Sequence, residues 1–187
     1  MKTEAYTSRP DGMIPNSRFP LLVHRNALPG GGAEAVKARF RANGWGNNWE
    51  YPGVYHYPHF HSTTHECLGC ARGWMAFRLS VGQGGWTTLR VDAGDVIVMP
   101  AGVSHEHVDA SEDILMCGGY AGGRDWDNIQ EAHLTPELYQ IACKSIMSLP
   151  IPDRDPATGE PMYDWHDASS SVDGGWNEWR DGLNATT

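Results

Sequence analysis

Between about Gly53 and Tyr120, short runs rich in Val, Ile, Tyr, Phe and Thr alternate with Gly, Pro and Asp turns. No long helix fits that texture, and its spacing predicts an antiparallel β sandwich or barrel. The runs Val54–His61, Glu66–Arg72, Trp74–Val81, Trp86–Val91, Asp95–Met99, His105–Val108 and Ile114–Tyr120 are the expected strands. Upstream, Pro10, Pro15, Pro20 and Pro29 break residues 1–30 into an irregular arm, with Phe19–Val23 as a short edge strand. Ala33–Asn43 reads as a helix with Val36 and Phe40 on one face and Gly44 as its stop. Downstream, Thr135 and Pro136 form a natural helix start, and Glu137–Met147 follows with Leu138, Ile141 and Ser145 on one stripe. The last twenty residues are mostly polar, with Trp176 and Trp179 as their aromatic exceptions, as expected of a strap over the barrel or a partly disordered tail.

This organisation suggests one domain in four stretches: an arm and helix over 1–52, a β core over 53–120, a completing helix and loop over 121–165, and the polar tail 166–187. The net charge of -9 excludes the basic footprint that nucleic acid demands and disfavours an anionic membrane. No apolar run approaches the ~20 residues of a membrane helix. The N-terminal residues lack the apolar core of a secretory signal, so a cytoplasmic protein with reduced cysteines is expected.

The chemistry concentrates in Gly53 to Glu66. His59 and His61 stand two apart, so on a strand they face the same way. Glu66 follows after room for a turn, and His105 comes after the buried run Val96–Met99 and the turn Pro100-Ala101-Gly102. A lone buried histidine is more often a satisfied core residue than a ligand. Three imidazoles and one carboxylate suit a divalent transition metal better than Ca or Mg, and leave two adjacent octahedral positions open.

Around these residues the chain resembles the cupins. Gly53, His59, His61, Glu66 and Gly73 stand at the fixed positions of the first cupin motif, and Gly94, Pro100, Gly102 and His105 at those of the second. Asp109 stands where the family has a turn-forming Asn, a role Asp also fills. More narrowly, the chain is similar to the YjlB-like cupins. The shared segments are Gly12 to Asn16, His61 to Glu66, Gly94-Asp95, Pro100 to Gly102, Asp125-Trp126-Asp127 and Pro152 to Pro156. The resemblance implies a mainly β fold, a single cupin (jelly-roll) β-barrel with an N-terminal arm and flanking short helices. It also implies one divalent metal (Fe, Mn, Ni or Zn) on His59, His61, Glu66 and His105, and a homodimer, without fixing a reaction.

The expected activity is that of a small metalloenzyme, a dioxygenase or a lyase/isomerase, acting on a small organic substrate such as an aromatic or keto acid. The alternative is a metal-containing binding module or sensor without turnover; a third reading is a cavity plugged by Trp176 or Trp179. His107, two beyond His105, is a candidate acid/base or, equally, a core polar group. Tyr55 and Tyr57 share the parity of His59 and His61. Filling the interior is their default role, with substrate contact as the minority reading and Tyr57 a second proton donor candidate. Trp126 is a candidate cap on the mouth or an anchor for its loop. His65 and His56 take the opposite parity and are read as structural. Cys67 and Cys70 face opposite sides of a strand, which argues against a zinc or redox pair. Gly30-Gly31-Gly32 lacks the company of a phosphate loop.

Overall fold

Val96-Ile97-Val98-Met99 is apolar at every position because both of its faces are covered. In the computed structural model, which describes residues 1–82, 85–170 and Trp176, this strand lies inside a six-stranded sheet. With β1 (Lys2–Tyr6), β2 (Leu21–Arg25), β3 (Trp45–Tyr51), β4 (Glu66–Arg72), β7 (Val96–Met99) and β9 (Leu115–Ala121), the order is β1-β2-β7-β4-β9-β3. A three-stranded sheet, in the order β6-β5-β8, is built from β5 (Trp74–Leu79), β6 (Thr87–Asp92) and β8 (His105–Ala110). All pairings are antiparallel.

Alternation along the strands sorts side chains between two cores. Leu21, Val23, Leu68, Cys70, Ile97, Met99 and Met116 face Met75, Phe77, Leu79, Leu89 and Val91 of the smaller sheet. Leu22, Cys67, Val96, Val98 and Cys117 face the other way and are covered by α1 (Gly32–Ala42) and α3 (Tyr163–Ser170), through Val36, Phe40 and Trp165. Val36 and Phe40 therefore share a buried face, as the sequence predicts. Gly69 lets α1 approach: a Cβ there would lie 2.6 Å from Val36 Cγ1. Thr135 caps α2 (Pro136–Ser148), its hydroxyl accepting from Leu138 N–H. On α2, Leu138 and Ile141 of the expected stripe are exposed while Ser145 is half-buried, and Ala142, Cys143 and Ile146 are the buried residues.

The expected jelly-roll barrel is not what the chain forms. The two sheets are separate and not closed into a barrel, so the fold is mainly β with two sheets and short helices. The run Val54–His61 is the reason: it forms no strand. It lies along β8 through two isolated contacts, His59 with His105 and the carbonyl of Tyr55 with His107 N–H. Pro58 sits between them without an N–H to donate, and the register changes there. Two strands escaped the sequence reading, β1 in the arm and β3, whose Trp45-Gly-Asn-Asn-Trp49 start carries a register shift between Gly46 and Trp49. The tail expected to strap the molecule begins in α3, up to Ser170; beyond it, Trp176 apart, the tail lies outside the described residues. Among the described residues, no helix is long and apolar enough to cross a membrane.

Gly102 shows why the motif glycines are glycines. Gly53, Gly73, Gly94 and Gly102 have φ of 116°, 71°, 96° and 93°, where a side chain is strained. At Gly102 a Cβ would also meet the Asn16 carbonyl oxygen at 2.2 Å. Gly102 N–H donates to the carbonyl of His61, and its own carbonyl accepts from Asn16 N–H. Gly102→Ala is expected to destabilise the chain by about 1–3 kcal/mol, read as a lower urea midpoint at unchanged slope.

Candidate metal centre

The centre lies at one end of the seam between the sheets. His105 opens β8 of the small sheet and Glu66 opens β4 of the large one, beside Met99 and Tyr120. His59 and His61 come from the connecting segment. Between them Phe60 is fully buried against Ala101, Ala142 and Ile146, and its backbone pairs with Ile129. Burying Phe60 on one side turns both imidazoles to the other, so the alternation holds locally although no strand forms.

His59, His61 and His105 bring one ring nitrogen each within 4.8 Å of one another, all buried. Glu66 Oε2 lies 3.4 Å from His61 Nε2 and 3.4 Å from His105 Nε2. In all three rings the Nδ1 edge meets a backbone carbonyl: Tyr57 for His59 at 3.1 Å, Val103 for His105 at 3.4 Å, and Asp127 for His61. An Nδ1–H donated to a carbonyl leaves Nε2 as a bare lone pair. Three such lone pairs and a carboxylate then converge, and Glu66 Oε2 is buried with no hydrogen-bond partner. A carboxylate oxygen rarely stays orphaned in a fold without a cation to face. The donor set therefore fits a divalent metal ion, with nitrogen and oxygen ligands of transition-metal type.

Electrostatics agree. Burial, and then the neighbouring His61, push the His59 pKa down. Burial and the two facing imidazoles push His105 well down. Burial pulls His61 the same way, but Glu66 and Asp127 together outweigh it and the net direction is up. Two rings are thus held neutral, as ligands must be.

Asp127 holds the outer side of the centre. Its carboxylate accepts from Ser62 N–H at 2.7 Å and from the Ser62 hydroxyl at 2.6 Å, which places its carbonyl on His61 Nδ1. The same loop lays the Trp126 ring 5.6 Å from that of His61 and stacks it on Tyr120 at 6.1 Å. Tyr55 and Tyr57 stack on each other at 5.0 Å, with their rings 5.1 and 5.6 Å from His59. Tyr55 is 43% exposed, so it stands at the mouth rather than inside. Asn128 Nδ2 donates to the Tyr57 hydroxyl.

His107 faces the same side of β8 as His105 but is held elsewhere. Its ring stacks on exposed His56 at 4.1 Å and sits against Gly53, where a Cβ would meet its Nδ1 at 2.9 Å. That Nδ1 is buried without a partner, and burial followed by His56 pushes its pKa down. His65 is buried on the opposite side of β4's start, edge-on to Trp165. Cys67 and Cys70 fall in different cores, and burial raises both thiols, Cys70 to about 12. Of the remaining histidines, His24 joins Asp155 at 2.7 Å and Thr3 at 2.9 Å.

Sequence reasoning missed Tyr120, Trp49 and the backbone role of Asp127. Tyr120 pairs with Glu66 across β4 and β9, is 2% exposed, and its hydroxyl accepts from Trp49 Nε1 at 3.0 Å. Burial, and then the Glu66 charge, push its pKa up, so the phenol stays protonated beside the carboxylate. Trp49 reaches it because Gly118 has no side chain: a Cβ there would lie 2.0 Å from the indole.

Among solved structures, oxalate decarboxylase from Bacillus subtilis matches with TM-score 0.37 and 16% identity over 70% of this chain and 33% of that one. RmlC from Streptococcus suis matches with TM-score 0.37 and 14% identity, covering 66% of this chain and 72% of that one. The 11S globulin of Wrightia tinctoria matches with TM-score 0.37 and 12% identity over 44% of this chain and 22% of that one. The chain spans about a third of the length of the decarboxylase, and likeness at this level carries neither substrate nor reaction. No protein-family model matches the chain. Protein YjlB of Bacillus subtilis (strain 168) is 35% identical over 167 residues, which cover 87% of this chain and 96% of that protein. By that match along nearly its whole length, together with the His59, His61, Glu66 and His105 cluster in its two-sheet frame, the chain belongs to the YjlB-like family of the cupin superfamily.

Proposed function

We propose that the chain is a metal-dependent enzyme acting on a small organic substrate, with His59, His61, Glu66 and His105 as the ligands of one divalent transition metal. The observation that carries this is the convergence of three Nε2 lone pairs, each fixed by a carbonyl on Nδ1, beside the unpartnered Glu66 Oε2. Bound there, the ion supplies Lewis-acid chemistry or, if redox-active, electron-transfer chemistry. Fe or Mn fits dioxygenation; Ni or Zn fits a lyase or isomerase.

The chain's own residues do the rest. Tyr55, Tyr57 and Trp126 wall the approach and bind a flat, unsaturated or aromatic substrate by stacking. Tyr120, its hydroxyl accepting from Trp49 Nε1, stays a protonated phenol beside Glu66. Tyr57, oriented by Asn128, is the second proton donor in reach of the mouth. Neutral His107 lies apart from the three imidazoles and shapes the seam through His56. That separation favours the second reading, a metal-holding binding module without turnover.

Elemental analysis of protein purified without a metal-affinity tag tests the proposal. About one Fe, Mn, Ni or Zn per chain is the expected result. A chain that carries none, and takes none up on anaerobic reconstitution, overturns it. Turnover or none, on aromatic and keto acids by the loaded protein, separates the enzyme from the binding module.

A further inference from the structure

A cavity of about 460 Å³ lies away from the metal centre, on the outer side of the large sheet. Its walls are the turn after α1, the Thr64-His65 step before β4, the turn after β9 and residues 149–154. That volume suits a metabolite-sized ligand. Three observations give it a chemistry. His65, only 2% exposed, accepts the Ala101 N–H on Nδ1 at 2.9 Å, so its proton sits on Nε2. That Nε2–H has no hydrogen-bond partner; the Pro150 carbonyl on the cavity wall faces it without reaching hydrogen-bond geometry. Arg124 and Arg154 both line the cavity, and among the described residues neither guanidinium has a carboxylate partner. Asp153 is the acidic residue on the same wall, so positive charge prevails there. Leu149, Pro150 and Ile151 add an apolar side.

We propose that this cavity is a second ligand site, distinct from the metal centre, for a small organic carboxylate. Its charged end meets Arg124, Arg154 and the buried His65 N–H, and its body lies on the Leu149–Ile151 side. Guanidinium forks match a carboxylate in plane and charge. The site adjoins the metal centre through the chain itself, since His65 precedes Glu66 and the Arg124 loop continues into Asp127.

Isothermal titration of the full chain with benzoate and with hexanoate tests this, using wild type, Arg124→Gln/Arg154→Gln and His59→Ala/His61→Ala. Both altered arginines are exposed, so folding is spared. Saturable binding is expected in wild type and persists in the histidine variant, which removes any binding that depends on the metal centre. Roughly tenfold or greater weakening is expected in the arginine variant, and comparable weakness for benzyl alcohol and inorganic phosphate. Absence of saturation up to about 20 mM overturns the site. Equal binding by the arginine variant, or binding lost in the histidine variant, also overturns it. Phosphate binding as tightly as the two carboxylates overturns the ligand class.

Discussion

His59→Ala/His61→Ala should leave the protein folded and without its metal. The two imidazoles supply half of the four converging donors, and each is oriented by its own carbonyl, Tyr57 and Asp127. Losing a group that merely orients a ligand costs ~10–100-fold in affinity. Losing two ligands outright costs at least the product, on the order of 10³-fold or more. Metal per chain should therefore drop from about one to near zero. A second readout is stability: wild type should gain about 4 kcal/mol at a metal concentration near a thousand times its Kd, and the variant none. Both halves can be checked by elemental analysis after dialysis and by urea melts with and without metal. Retention of metal by the variant would show that the ion binds elsewhere. Glu66→Gln, which keeps the shape and removes the charge, guards against a folding artefact and should also weaken binding.

Metal-free protein should lose stability steeply as pH falls from about 6.5 to about 4. His65 has its pKa pushed from the usual 6.5 to about 4, chiefly by burial. Above 6.5 the ring is neutral in both folded and unfolded chains, and the full stability is present. As pH falls below that value the unfolded ring takes a proton and the folded one does not, so unfolding is favoured. The loss is complete once pH passes below the folded value of about 4. For His65 alone it amounts to about 3 kcal/mol. His59 and His105, also depressed by burial, add in the same direction. Urea midpoints at several pH values in EDTA measure it, and His65→Gln should flatten the slope. A wild-type midpoint unchanged between pH 7 and pH 4.5 would contradict the burial of these rings as neutral bases.

The clustering of His59, His61, Glu66 and His105 was legible in sequence because their spacing carries its own geometry: a histidine pair, a turn, and a further histidine after a buried run. Parity along a strand Val54–His61 is not what aligns the histidine pair, because that run forms no strand. Pro58 and the register change dissolve that strand, and burial of Phe60 turns the two imidazoles instead. The same break left the sheets open where a barrel was expected. Strand β7 was legible because it is apolar on both faces. Strand β3 was not, because Gly46, Asn47 and Asn48 carry no alternation, and its bulge places Asn47 at φ 50°. Tyr120 was seen only as a strand's end; its place beside Glu66 depends on a register between β4 and β9 that local pattern does not encode.

The seam along β8 has a consequence for access. A continuous ladder around the mouth would make entry a matter of breaking a sheet. Here the segment carrying His59 and His61 is tied to β8 by three backbone hydrogen bonds, two between His59 and His105 and one from His107 to Tyr55. Each is worth about 0.5–1.5 kcal/mol net. That side of the doorway is therefore held to β8 more lightly than a laddered strand would be, while Phe60, buried behind it and paired with Ile129, anchors it to the rest of the protein. That jamb is fixed by packing more than by pairing, and the two imidazoles on it owe their place to one buried ring.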